Sequence, residues 1–125
     1  MYIMVRRETA DQKGVLAVSG FPYNTWAYHK MSIRLGGPNF QFLSKDRLIM
    51  GSRLHEGTTA STALHVTDLE GKILKTIKLP SGGDSSYPGL VLDKKDLWVA
   101  YYSSHEGKAI VYLAQVPSQM FKIVK

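Results

Sequence analysis

Pro38-Asn-Phe-Gln-Phe-Leu-Ser-Lys-Asp-Arg-Leu-Ile-Met-Gly-Ser-Arg-Leu-His-Glu-Gly57 lies without a gap over Pro88-Gly-Leu-Val-Leu-Asp-Lys-Lys-Asp-Leu-Trp-Val-Ala-Tyr-Tyr-Ser-Ser-His-Glu-Gly107, fifty residues further on. Pro38/Pro88, Lys45/Lys95, Asp46/Asp96, His55/His105, Glu56/Glu106 and Gly57/Gly107 are identical, and apolar positions fall on apolar positions. A fainter third copy pairs Ile3-Met4 and Arg7 with Ile49-Met50 and Arg53, at an offset of forty-six. A repeat in this range implies a fold assembled from copies of one supersecondary unit.

Apolar and polar residues alternate with period two, and no segment carries a helical pattern. The middle copy reads as strands Phe40–Leu43, Arg47–Arg53, Ser61–Thr67 and Lys72–Leu79. The last copy reads as Leu90–Leu92, Leu97–Ser103, Ala109–Gln115 and Met120–Val124. The first has three strands, Tyr2–Arg7, Val15–Ser19 and Tyr28–Leu35. Four short antiparallel strands per repeat describe a propeller blade, and the expected fold is all-β. One partial β-propeller is expected, of about two and three-quarter four-stranded antiparallel blades, divided at 1–36, 37–80 and 81–125. A single antiparallel sandwich is the competing architecture. Closed propellers have about four to eight blades, so such a chain is incomplete as a monomer. Either N-terminal blades are missing from it or copies assemble as a homo-oligomer.

The chain has 125 residues, 44% of them hydrophobic, which is enough for a core. No apolar run reaches the roughly 18 residues of a membrane span, and no secretion signal opens the sequence, so no membrane partner is expected. Without cysteine there are no disulfides or thiolate metal sites. The net charge of +6 is spread over hairpin tips and strand ends. That scatter reads as a solvated surface, and no nucleic-acid partner is expected.

Arg34-Leu-Gly-Gly-Pro-Asn-Phe40, Asp46-Arg-Leu-Ile49, Leu79-Pro-Ser-Gly-Gly-Asp-Ser-Ser-Tyr-Pro-Gly-Leu90 and Leu97-Trp-Val-Ala-Tyr-Tyr-Ser-Ser-His-Glu-Gly-Lys108 resemble the C-terminal half of sialidase-like six-bladed propellers, the bacterial neuraminidase repeat superfamily. Tyr2-Ile-Met-Val-Arg-Arg7 and Pro22-Tyr-Asn-Thr-Trp26 fit a preceding blade. The resemblance implies a glycan-binding or glycoside-hydrolase-related propeller, often secreted or periplasmic, with a carbohydrate ligand and no cofactor. It also implies that Tyr87, before the first strand of the last blade, stands where the family keeps its tyrosine nucleophile. The family's Asp-box is only echoed, in Thr67-Asp-Leu-Glu-Gly-Lys72, and Thr58-Thr-Ala-Ser-Thr-Ala63 stands where a family arginine is expected. The implied fragment is not catalytic alone.

In a four-stranded blade the two-to-three loops and the blade-to-blade connections emerge on one face. That face gathers Asn39, His55, Glu56, Asp84, Tyr87, His105 and Glu106. Glu56, Asp84 and Glu106 are candidate acids or bases for glycoside cleavage. Arg53 and Arg7, at equivalent strand ends, suit bidentate grip of a carboxylate, though the plainer reading of each is half of a surface ion pair. Asn39, His55 and His105 complete the candidate ligand-binding set. The two His-Glu pairs lack the spacing of a zinc motif, so no metal site is expected, and the plainer reading is a loop shaped by glycine. Phe21, Tyr23, Trp26 and Tyr28, at the rim or on the opposite face, read as core and turn packing rather than a sugar-stacking platform. Trp98, Tyr101 and Tyr102 divide between the two faces of one strand.

Overall fold

A computed structural model describes residues 1–123. The chain is all-β, and every strand pairs antiparallel with its neighbour in sequence. The first sheet holds β1 (Tyr2–Val5), β2 (Lys13–Val18) and β3 (Ala27–Arg34). The second holds β4 (Asn39–Ser44), β5 (Arg47–Glu56), β6 (Thr59–Thr67) and β7 (Ile73–Lys78). The third holds β8 (Ser85–Asp93), β9 (Asp96–Ser103) and β10 (Ile110–Pro117). Local turn chemistry sets these meanders. Asp68, for example, accepts backbone N–H bonds from Glu70 and Lys72, both at 2.9 Å, and Gly71 closes that turn at φ +81°.

The sheets stack face to face in chain order. Met31, Leu35 and Met50, with Met4, Ile33 and Phe40, fill the space between the first and second. Ile49, Leu64, Val66, Leu97, Val99 and Val116 fill that between the second and third. The middle sheet is therefore covered on both sides, and β5 is buried from Leu48 through Ser52. The outward face of the first sheet leaves Ile3, Val5 and Tyr28 exposed, and that of the third leaves Val91, Val111 and Leu113 exposed. Gly51 lets the stack close, because a Cβ there would lie 2.5 Å from the ring of Pro88. A proline ring cannot swing aside. Gly51→Ala is therefore expected to lower stability by about 1–3 kcal/mol, read as the denaturation midpoint, through forced separation of the second and third sheets.

Two expectations need correction. The eleventh strand, at Met120–Val124, does not form within the described residues, and Val124 lies outside them. After Pro117 the chain makes one 3₁₀ turn, Ser118–Phe121, whose Phe121 plugs the core between the second and third sheets. The proline cannot donate to a ladder, and the buried phenyl ring pins the turn where a fourth strand would run. Among the described residues the third sheet thus has three strands rather than four.

The second correction is to the register of the repeat. Ile49 and Val99 enter the same core from opposite sides, whereas equivalent residues of stacked copies point the same way. The counterpart of Val99 is Met50, which faces the first sheet. Structural equivalence in these strands is one residue short of the offset that maximises identity, so Arg53 corresponds to Tyr102. The two hairpins keep that offset throughout: Leu48 pairs with Thr67 and Leu54 with Ser61, as Leu97 pairs with Val116 and Ser103 with Ile110, so the His-Glu-Gly identities fall one residue out of structural step. The same slip affects the first copy. Met4 faces the second sheet, so Arg6, and not Arg7, shares the direction of Arg53.

Candidate functional site

The sequence between the second and third sheets builds one polar rim. β8 begins at Ser85, five residues before the apolar run that marks it in sequence. Ser86 pairs with Tyr102 and Gly89 with Ala100, so one extra residue is inserted between them. This is a β-bulge, and it is centred on Tyr87, whose φ is +52°. A non-glycine residue in the left-handed region costs about 1 kcal/mol, and bulges of this kind re-aim a side chain. Buried hydroxyls secure the near side: Thr62 shares a hydrogen bond with Ser85, and Ser86 donates to the Gly36 carbonyl. Asn39 Nδ2 donates to the Pro88 carbonyl at 3.1 Å, fixing the far side of the bulge.

Tyr87 is held but not covered. Its ring stacks on Tyr102 with centroids 6.2 Å apart and planes at 21°. Gly37, at φ +56°, has no Cβ; one placed there would lie 3.0 Å from the ring. The side chain remains 62% exposed, an unusual outlay of geometry on a tyrosine that buries so little.

Cations stand nearby, one of them behind its stacking partner Tyr102. Arg53 Nε donates to the Ser85 carbonyl at 2.9 Å, and its Nη2 donates to Asp84 Oδ1 at 3.1 Å and to the Tyr102 hydroxyl at 3.3 Å. Tyr102 in turn donates to Asp84 Oδ1 at 2.6 Å, and that bond raises the Tyr102 pKa above the ordinary phenol value. Arg6 is hydrogen-bonded to Glu8, which raises its pKa, and the nearby Tyr87 hydroxyl adds to the effect. Arg34 lies 4.0 Å from the same Glu8. The His55 pKa is lowered, first by burial and then by Arg34, Arg53 and Arg6. Three guanidiniums therefore share one field around His55, and of these Arg6 lies near Tyr87 while Arg53 holds Tyr102, on which Tyr87 stacks.

Of the residues singled out from sequence, Arg53, Asp84 and Tyr87 meet here, with His55 within electrostatic reach. Arg7 does not: it bonds Asp11 at 2.9 Å and the Lys13 carbonyl in the β1–β2 turn. Glu56 pairs with Lys78 at 2.6 Å. Glu106 accepts from the Tyr112 hydroxyl at 2.7 Å, pushing that phenol up to about 12. His105 shares a 2.7 Å bond with the buried Ser103 and packs against the Tyr112 ring. Glu56, Asp84 and Glu106 thus each have a cationic or hydroxyl partner. Among the described residues, no three His, Asp or Glu side chains gather as metal ligands. Arg6, Glu8, Arg34 and Tyr102 escaped the sequence reading. Parity along β1 and β9 was the signal that could have found Arg6 and Tyr102. A comparison with protein-family models, with curated proteins and with solved structures finds no match in any of the three.

Proposed function

We propose that this chain is a section of a sialidase-like β-propeller whose rim binds an acidic sugar, and that it is not catalytic alone. The observation that carries the reading is the gathering of Arg6, Arg34 and Arg53 about His55, with Arg6 near the exposed, bulge-mounted Tyr87 and Arg53 bonded to its stacking partner Tyr102. Guanidinium is the side chain best suited to a carboxylate, and the exposed tyrosine beside it is open to an anomeric carbon. The stacked meanders and the uncovered apolar faces at both ends support a propeller whose neighbouring blades lie elsewhere. Those same faces favour a second reading, in which the chain is a stand-alone module that oligomerises and binds without catalysis. Mass in solution separates the two: a stable dimer or trimer supports assembly, and a monomer supports missing blades.

Titration with N-acetylneuraminic acid, followed through backbone amide resonances, tests the rim. The acid is expected to shift Arg53, Asp84 and Tyr102, whereas its methyl ester binds about tenfold more weakly, the value of one lost charge-assisted bond. Equal effects from acid and ester would remove the anionic-ligand reading. With a fluorogenic sialoside, neither the chain alone nor Tyr87→Phe is expected to release product. Release that survives Tyr87→Phe would exclude Tyr87 as nucleophile.

A further inference from the structure

We infer that a second sugar site, for a neutral sugar, lies in the cleft between the start of β6 and the Ser81–Gly83 connection, next to the cationic rim. The cleft encloses about 640 Å³, with Glu56, Thr58, Ala60, Ser61, Lys78 and Ser81 on its walls. It exists because β6 outruns its partner. β7 pairs with β6 only as far as Ala63, opposite Lys78, while β5 follows β6 out to Thr59.

Backbone polarity then gives the cleft its chemistry. The Thr62 N–H donates to Ser81 Oγ at 2.7 Å, and the Thr62 carbonyl accepts from the Leu79 N–H at 2.9 Å. Both groups point away from β5. Alternation along an antiparallel strand turns the Ala60 N–H and carbonyl the same way, into the space β7 has left. An adjacent donor and acceptor from one residue match two neighbouring hydroxyls of a pyranose. Thr58 and Ser61 add hydroxyls, and the Glu56–Lys78 pair, 2.6 Å apart, supplies a strong acceptor and a strong donor. The paired charges cancel, so the cleft favours a neutral polyol over an anion. The segment from Ser81 runs directly into Asp84, which holds Arg53. A neutral sugar in the cleft is therefore placed to be the unit attached to an acidic sugar at the rim, an assignment that rests on the rim reading above.

Three probes on the whole chain separate the two sites: N-acetylneuraminic acid, lactose and 3′-sialyllactose, each followed through backbone amides. Lactose is expected to shift Thr58–Ser61 and Ser81–Gly83. The trisaccharide is expected to bind about tenfold tighter than the free acid, the value of one or two net hydrogen bonds. Ser61→Val and Lys78→Met are expected to erase that gain without changing affinity for the free acid. Lactose without effect on the cleft amides, or a trisaccharide no tighter than the acid, overturns the site even if the acid binds the rim. Lactose on the cleft amides with no response to the acid keeps the cleft and removes the rim reading.

Discussion

Arg53→Ala is expected to weaken binding of an acidic sugar by about a hundredfold, since a buried-side guanidinium in a charge-assisted pair contributes about 2–3 kcal/mol. Three bonds from one guanidinium, to the Ser85 carbonyl, Asp84 and Tyr102, fix its position. Those bonds use Nε and Nη2, leaving Nη1 for a ligand. The stability cost is expected to be much smaller, under about 1 kcal/mol, because Asp84 is 71% exposed and returns to water when its partner goes. Arg53→Lys keeps the charge but cannot span the three acceptors, so it is expected to recover less than a tenth of the lost affinity. Affinity for N-acetylneuraminic acid by amide titration, beside a thermal melt, reads both quantities. A melting point that falls in step with affinity would mean that Arg53 only holds the sheets together.

Acid is expected to unfold the chain through His65. This side chain is 1% exposed, its Nδ1 shares a 2.9 Å bond with the Thr76 hydroxyl, and its Nε2 has no partner. Burial lowers its pKa from 6.5 to about 4. The fold thus holds the neutral ring, and the unfolded chain binds the proton more tightly. This contribution is fully present above pH 6.5 and is lost as pH falls from 6.5 towards 4, where it amounts to about 3 kcal/mol. His65→Leu removes both the titration and the orphaned nitrogen, while the exposed Thr76 turns to water. Urea midpoints at pH 7 and pH 4.5 should therefore lie closer together in the variant. An unchanged difference would assign the acid sensitivity elsewhere.

The all-β character and the meander order were legible because period-two alternation and turn residues such as Lys45-Asp46 and Asp68–Gly71 act locally. What escaped was set at a distance. Period two makes a slip of one residue invert every side chain, and sequence identity preferred the wrong offset. So Arg7 was read at the rim where Arg6 stands, and Tyr102 was left undecided between two faces. Ser85-Ser-Tyr-Pro-Gly89 lies before the strand read from Leu90, yet it is strand with an inserted residue, held by Gly36, Asn39 and Thr62 from other elements. The end of the chain misled for a similar reason, since only the space beneath Phe121 distinguishes an anchored turn from an edge strand.

The middle sheet's two-sided burial also bears on how the protein is made. Each hairpin joins neighbours in sequence and can close as soon as it leaves the ribosome, but β4–β7 then present one unmatched apolar surface until β8–β10 emerge. During that interval of synthesis Ile49, Leu64 and Val66 are open to any passing chain. β8–β10 are therefore what closes that surface, and a chain stopped before them would expose it.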